Sequence, residues 1–86
     1  MPEPWYLYML LCVDNTIYTG VAKDLPKRLA KHAIGKGAKY MRSRLPFTLI
    51  HSETLPDHGS ALKRELEVKS FPRKKKLALA KIDTPS

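Results

Sequence analysis

Two apolar runs near the start of the chain, Trp5 to Val13 and Thr16 to Ala22, are dense in aromatic, branched and aliphatic residues and are parted by Asp14-Asn15. They read as a β-hairpin whose first strand is covered on both faces. The period then changes. Leu25, Leu29 and Ala33 recur at steps of four, the stripe of an amphipathic helix. Asp24 stands where an N-cap is needed, Pro26 falls in the first turn where its missing N–H is harmless, and Gly35 supplies a left-handed stop. Gly35 to Arg44 is a basic connection with Tyr40 inside it. Beyond Pro46, Phe47 to Leu55 alternates as a third strand, and Pro56-Asp57-His58-Gly59 is a turn. Ser60 is then expected to cap a helix over Ala61 to Lys69, with Ala61, Leu62, Leu66 and Val68 as its apolar positions. Ser70 and Pro72 open a short last helix, basic over Arg73 to Lys76 and apolar over Leu77 to Ala80. The order β-β-α-β-α-α predicts an α/β fold of the α+β type: a small three-stranded, mainly antiparallel sheet flanked by helices.

At 86 residues the chain has room for one modest core, so a single domain is expected over residues 1–82, with 83–86 as a frayed tail. Sixteen Lys and Arg against eight Asp and Glu leave a formal charge of +8. On so small a body that excess favours a polyanionic partner, nucleic acid first and an anionic membrane second. The run from Trp5 to Val13 is too short to span a bilayer and lacks the flanks of a signal peptide, which points to the cytoplasm. Cys12 is the only cysteine, so no intrachain disulfide can form, and its apolar setting marks it as a core residue.

A few residues stand out for their chemistry. Tyr6-Leu7-Tyr8 and Tyr18-Thr19-Gly20 fall on the two hairpin strands. A two-residue Asp14-Asn15 loop would turn Tyr8 and Tyr18 to opposite faces. An odd loop, such as Asp14-Asn15-Thr16 pairing Val13 with Ile17, would turn them to the same face, and it is the expected one. Arg28 and His32 are four apart on the first helix and share a face, although a solvated basic helix would look the same. Glu65 sits among the apolar positions of its helix, where a carboxylate is costly unless paired or bound to a cation. Its ordinary partners would be Lys69 one turn on, or Arg28 across the sheet. Gly35-Lys36-Gly37 alone is a weak phosphate signal. With Lys36, Lys39, Arg42 and Arg44 it becomes a loop able to track a phosphate backbone, with Tyr40 available to stack on a base. Lys74 and Lys75 extend the basic surface. His32, His51 and His58 have no zinc-ligand spacing.

Together these segments resemble the GIY-YIG nuclease superfamily, specifically its small stand-alone bacterial proteins. Tyr6-Leu7-Tyr8 stands for the first motif and Tyr18-Thr19-Gly20 for the second. Asp24-Leu25-Pro26-Lys27-Arg28 matches the helix carrying the family's arginine, and His32 follows one turn later. Gly35 to Lys39 matches the loop of the small subfamily, and Ala61 to Glu65 its acidic helix. Tyr6 and Leu7 replace Gly and Ile of the first motif, and Thr19 replaces Ile of the second; both tyrosines and Gly20 are kept.

The resemblance implies metal-dependent hydrolysis of phosphodiester bonds, in DNA ahead of RNA. Glu65 would hold one Mg²⁺ (or Mn²⁺), and Arg28 would face the charge growing on the phosphate. Tyr18 would position the attacking water, a safer role than proton abstraction because a free phenol titrates near ~10. Tyr8 and His32 would complete the hydrogen-bond network. No small-molecule cofactor is implied, and a monomer is expected. The alternative is a nucleic-acid-binding module of the same fold with little or no turnover. A protein-interaction domain would leave Glu65 unexplained.

Overall fold

A computed structural model describes residues 3–81, so the expected tail over 83–86 lies outside the described residues. Strands β1 (Trp5–Cys12), β2 (Ile17–Ala22) and β3 (Phe47–Leu55) form one sheet in the order β2-β1-β3, antiparallel throughout. Helix α1 (Leu25–Ala33) and a short 3₁₀ turn (Lys39–Met41) lie between β2 and β3, and α2 (His58–Lys69) and α3 (Arg73–Leu79) follow β3. The α+β fold in the order β-β-α-β-α-α is therefore the one the patterning predicts.

Because side chains alternate along a strand, the central strand β1 feeds two cores. Tyr8, Leu10 and Cys12 point to one face, where Met41 is buried with them and Leu25, Leu29 and Phe47 pack around. Leu7 and Met9 point to the other, against Val68 of α2 and Phe71 and Leu79 near α3. Cys12 is buried, its Sγ 3.6 Å from Met41 Sδ, and burial pushes its thiol up, as befits a core residue.

The hairpin loop is odd, as expected, but it is Val13-Asp14-Asn15, with Cys12 N–H bonded to Thr16 O at 2.9 Å. Asp14 accepts from the Thr16 amide at 3.2 Å and hydroxyl at 2.6 Å, which keeps Thr16 in the ladder, and Asn15 takes the left-handed conformation at φ 70°. Leu10 therefore pairs with Tyr18, and Tyr8 with Gly20.

Three details of the helices differ from the sequence reading. Asp57, not Ser60, caps α2: its carboxylate accepts the Ser60 N–H at 2.7 Å, which holds it below the usual carboxylate range. Ala33 is exposed, and the inward position of the last turn of α1 is taken by His32. Leu62 and Leu66 are 41% and 72% exposed. Helix α2 instead turns Ala61, Arg64 and Val68 toward the sheet, because Arg64 reaches Glu53 on β3 with Nε–Oε1 at 2.8 Å and Nη2–Oε2 at 3.0 Å. That fork keeps the Glu53 carboxyl well below its ordinary range, with His51 adding a second contact at 2.8 Å.

Candidate active site

The odd hairpin loop brings Tyr8 and Tyr18 to the same face, with ring centroids 6.1 Å apart. Helix α1 lays His32 against both, 5.9 Å from Tyr8 and 5.5 Å from Tyr18 between centroids. Tyr8 and His32 are fully buried, whereas Tyr18, on the edge strand β2, is half-buried.

The hydrogen bonds give this cluster a direction. The Ala38 N–H donates to His32 Nδ1 at 3.4 Å, which leaves the imidazole proton on Nε2. Nε2 lies 2.9 Å from the Tyr8 hydroxyl and so donates to it. The Tyr8 O–H is then not used by His32, and the Tyr18 ring packs beside it. Burial holds His32 below its ordinary imidazole value, with the Arg28 charge adding to the effect. Burial also pushes the Tyr8 phenol far above its ordinary range, with the Tyr18 charge adding and Arg28 opposing. Both buried groups therefore stay neutral at physiological pH.

Two glycines make room for the pair. A Cβ on Gly20 would fall 2.7 Å from Tyr8 Oη, and a Cβ on Gly37 would overlap His32 Nδ1. Gly20 is thus required by the tyrosine that crosses it, and Gly37 by the histidine beneath it.

A pH profile of stability follows from these shifts. His32 has a lowered pKa when folded, so its contribution is complete above the unfolded value of 6.5 and declines as pH falls through the folded one. Tyr8 has a raised pKa, so its contribution is complete below the unfolded value of 10.0 and declines at higher pH. We expect Tm to decline on both sides of the window between these values. Tm followed by circular dichroism should lose the acid-side decline between pH 6.5 and 5 in His32→Phe, although that variant starts lower.

Arg28 lies on α1 and Glu65 on α2, and the charge of each bears on the Tyr8 phenol. Among the described residues no ion pair joins them. Glu65 is instead paired with Lys69, Oε2 to Nζ 3.4 Å, and its side chain is 18% exposed. The helix-internal partner is therefore the one the fold uses. Arg28 is exposed, beside Lys27, Lys31 and Trp5 in a groove over α1.

The basic loop divides into two parts. Lys36, Lys39 and Arg42 are exposed, as are Lys74 and Lys75 on α3, with Lys75 Nζ 4.1 Å from the Phe71 ring. Arg44, expected on a phosphate backbone, is half-buried and engaged by the protein's own groups. Its guanidinium lies over the Tyr40 ring at 3.8 Å and donates to Tyr40 O at 2.9 Å. Its Nε sits 3.0 Å from Asp14 Oδ2, an ion pair in which the N–H does not point along the contact. Tyr40 in turn lies 5.6 Å from Tyr18, so one of its faces is covered by Arg44 while its ring continues the aromatic row. Two further lysines stand beside Tyr18 that the sequence reading did not place there. Lys69 and Lys76 line a cleft with Tyr18 and Tyr40, and no local spacing in the sequence brings them there.

Comparison with known proteins shows the family of the chain. Residues 4–78 match the family model described as the GIY-YIG catalytic domain. A UPF0213 protein of Staphylococcus saprophyticus is 49% identical over 74 residues, covering 86% of this chain and 90% of that one. One from Natronomonas pharaonis is 43% identical over 84 residues, covering 98% and 99%. The solution NMR structure of a UPF0213 protein from Bacillus halodurans is 44% identical and superposes with a TM-score of 0.59, covering 91% of this chain and 83% of that one. A solution NMR structure from E. faecalis is 36% identical with a TM-score of 0.64, covering 92% and 84%. The chain belongs to the GIY-YIG nuclease superfamily, among its small UPF0213 proteins.

Proposed function

We propose that this protein is a metal-dependent endonuclease that hydrolyses phosphodiester bonds in DNA ahead of RNA. The observation that carries the reading is the buried His32–Tyr8 hydrogen bond at 2.9 Å behind the half-buried Tyr18. A solvated basic surface has no need of such an oriented pair, whereas a site that must hold one water in place does.

Glu65 is a lone carboxylate: among the described residues no three His, Cys, Asp or Glu side chains converge. That donor set fits one Mg²⁺ or Mn²⁺, which takes one or two carboxylates and fills its shell with water and substrate phosphate oxygens. When bound, the ion would neutralise charge on the leaving oxygen. The rest is done by the chain. Arg28 would donate to the phosphate oxygens as charge builds on them. Tyr18 would accept one O–H of the attacking water on its hydroxyl oxygen and hold it in line. Tyr8 and His32, both neutral, would seat the Tyr18 ring by packing against it without competing for the proton. The exposed Lys36, Lys39, Arg42, Lys74 and Lys75 would carry flanking phosphates.

The test is incubation with supercoiled plasmid and with branched or single-stranded DNA, in Mg²⁺ or EDTA, beside Glu65→Gln and Arg28→Ala. Nicking should require Mg²⁺, and each substitution should lower it by about 10²–10³-fold. Nicking that survives both substitutions rejects this site. DNA that is shifted but never cut supports the binding-module alternative.

A further inference from the structure

The cleft beyond Tyr18 has features that the site above does not use. It measures about 240 Å³ and is lined by Ile17, Tyr18, Thr19, Tyr40, Lys69 and Lys76, on the open side of the edge strand β2. Three observations on it converge. First, Lys69 and Lys76 come to it from different helices, and among the described residues Lys76 has no acidic partner within ion-pair distance. Second, Thr19 is only 3% exposed, yet its Oγ1 has no hydrogen-bond partner. A buried hydroxyl left unpaired is costly, so it marks a place where a polar group is wanted. Third, the Cys12–Thr16 hydrogen bond sets the antiparallel alternation, in which Tyr18 and Gly20 face β1 and the amides of Ile17 and Thr19 face outward. The Ile17 and Thr19 carbonyls face outward with their amides, so the charge balance is set by the two ammoniums. With the Thr19 hydroxyl and the outward N–H groups, these suit an anion with several acceptor oxygens.

We propose that this cleft binds a second backbone phosphate of the nucleic-acid strand, adjoining the one attacked beside Tyr18. Thr19 Oγ1 and Lys76 hold its oxygens, Lys69 contributes whatever charge Glu65 leaves it, and Tyr40 walls the cleft toward the sugar. The inference rests on the nucleic-acid reading above and adds to it a position that sets strand register at the site.

The test is fluorescence anisotropy with a short labelled DNA duplex in EDTA, so that binding is read without cleavage. Lys76→Gln should lower the slope of log affinity against log salt by about 0.9, one phosphate contact on duplex DNA. Thr19→Val should weaken binding by about 2–10-fold while leaving Tm unchanged or higher, because it removes an unpaired buried hydroxyl. Lys63→Gln, an equal charge change elsewhere on α2, is the control. The proposal falls if Lys76→Gln and Lys63→Gln give the same slope, or if Thr19→Val lowers Tm and leaves affinity intact. It falls too if inorganic phosphate shifts the Thr19 amide resonance while DNA affinity is indifferent to both variants, which would mark a free-phosphate site. Plasmid nicking separates this outcome from that of the nuclease reading. Nicking with unchanged Lys76→Gln binding overturns the cleft alone, whereas weakened binding without nicking overturns catalysis alone.

Discussion

Tyr18→Phe is expected to lower Mg²⁺-dependent nicking by about 10²-fold, the cost of a reacting group left out of position. Tyr8→Phe should lower it by only about tenfold, the factor that ~1.4 kcal/mol of lost positioning represents. Stability should rank the two the other way. Tyr8 is fully buried and receives the His32 Nε2–H at 2.9 Å, so its loss leaves a buried donor unpaired at a cost of about 1–3 kcal/mol. Tyr18 is half-buried on an edge strand, and its hydroxyl can be replaced by solvent at less than about 1 kcal/mol. Nicking rates set beside urea midpoints for the two variants give the comparison. If Tyr8→Phe proves the more damaging to rate, the water-side role belongs to Tyr8 and the division of labour is reversed.

This ordering of the tyrosines was legible in the sequence only in part. Chain order and the bounds of β3 follow from period and turn residues, since both are local. That the hairpin loop must be odd follows from the wish to bring two tyrosines together, and the fold agrees. Its register shifts because Asp14 binds Thr16, a contact that competes with the turn read from Asp14-Asn15. The face of α2 was misread for a less local reason. Ala61, Leu62, Leu66 and Val68 do not define one stripe, and the choice among faces is made by Glu53 on β3, which draws Arg64 inward. Arg44 looked like a surface cation because its partners, Asp14 and the Tyr40 ring, meet it only once the hairpin tip folds back. Lys69 and Lys76 belong to the same class: seven residues apart on successive helices, they line one cleft with Tyr18 through packing alone.

Gly37→Ala is expected to be the most destabilising single-methyl change in the Gly35 to Arg44 connection. In the sequence, Gly37 sits in what could be a phosphate-cradling loop. In the fold its hydrogen faces the His32 ring: an added Cβ would overlap Nδ1 and stand 2.8 Å from Cε1 and 2.9 Å from Cγ. His32 cannot swing aside cheaply, because it is buried, bonded to Tyr8 and wedged against Tyr18 and Phe47. The loop must yield instead, and when it does the Ala38 N–H leaves Nδ1. Overpacking of this kind typically costs about 1–3 kcal/mol, and each kcal/mol is worth roughly 4–8 °C of Tm in a domain of this size. Gly20→Ala should act on the other end of the same pair, its Cβ pressing on Tyr8 Oη at 2.7 Å. Gly59→Ala supplies the contrast, since its Cβ would meet only Asp57 Oδ1 at 3.5 Å in the first turn of α2. It should hold Tm or raise it, because alanine has less chain entropy to lose on folding. Calorimetric Tm values for the three variants check the ranking. Equal losses at all three positions would mean that the two glycines are not the recesses in which Tyr8 and His32 are seated.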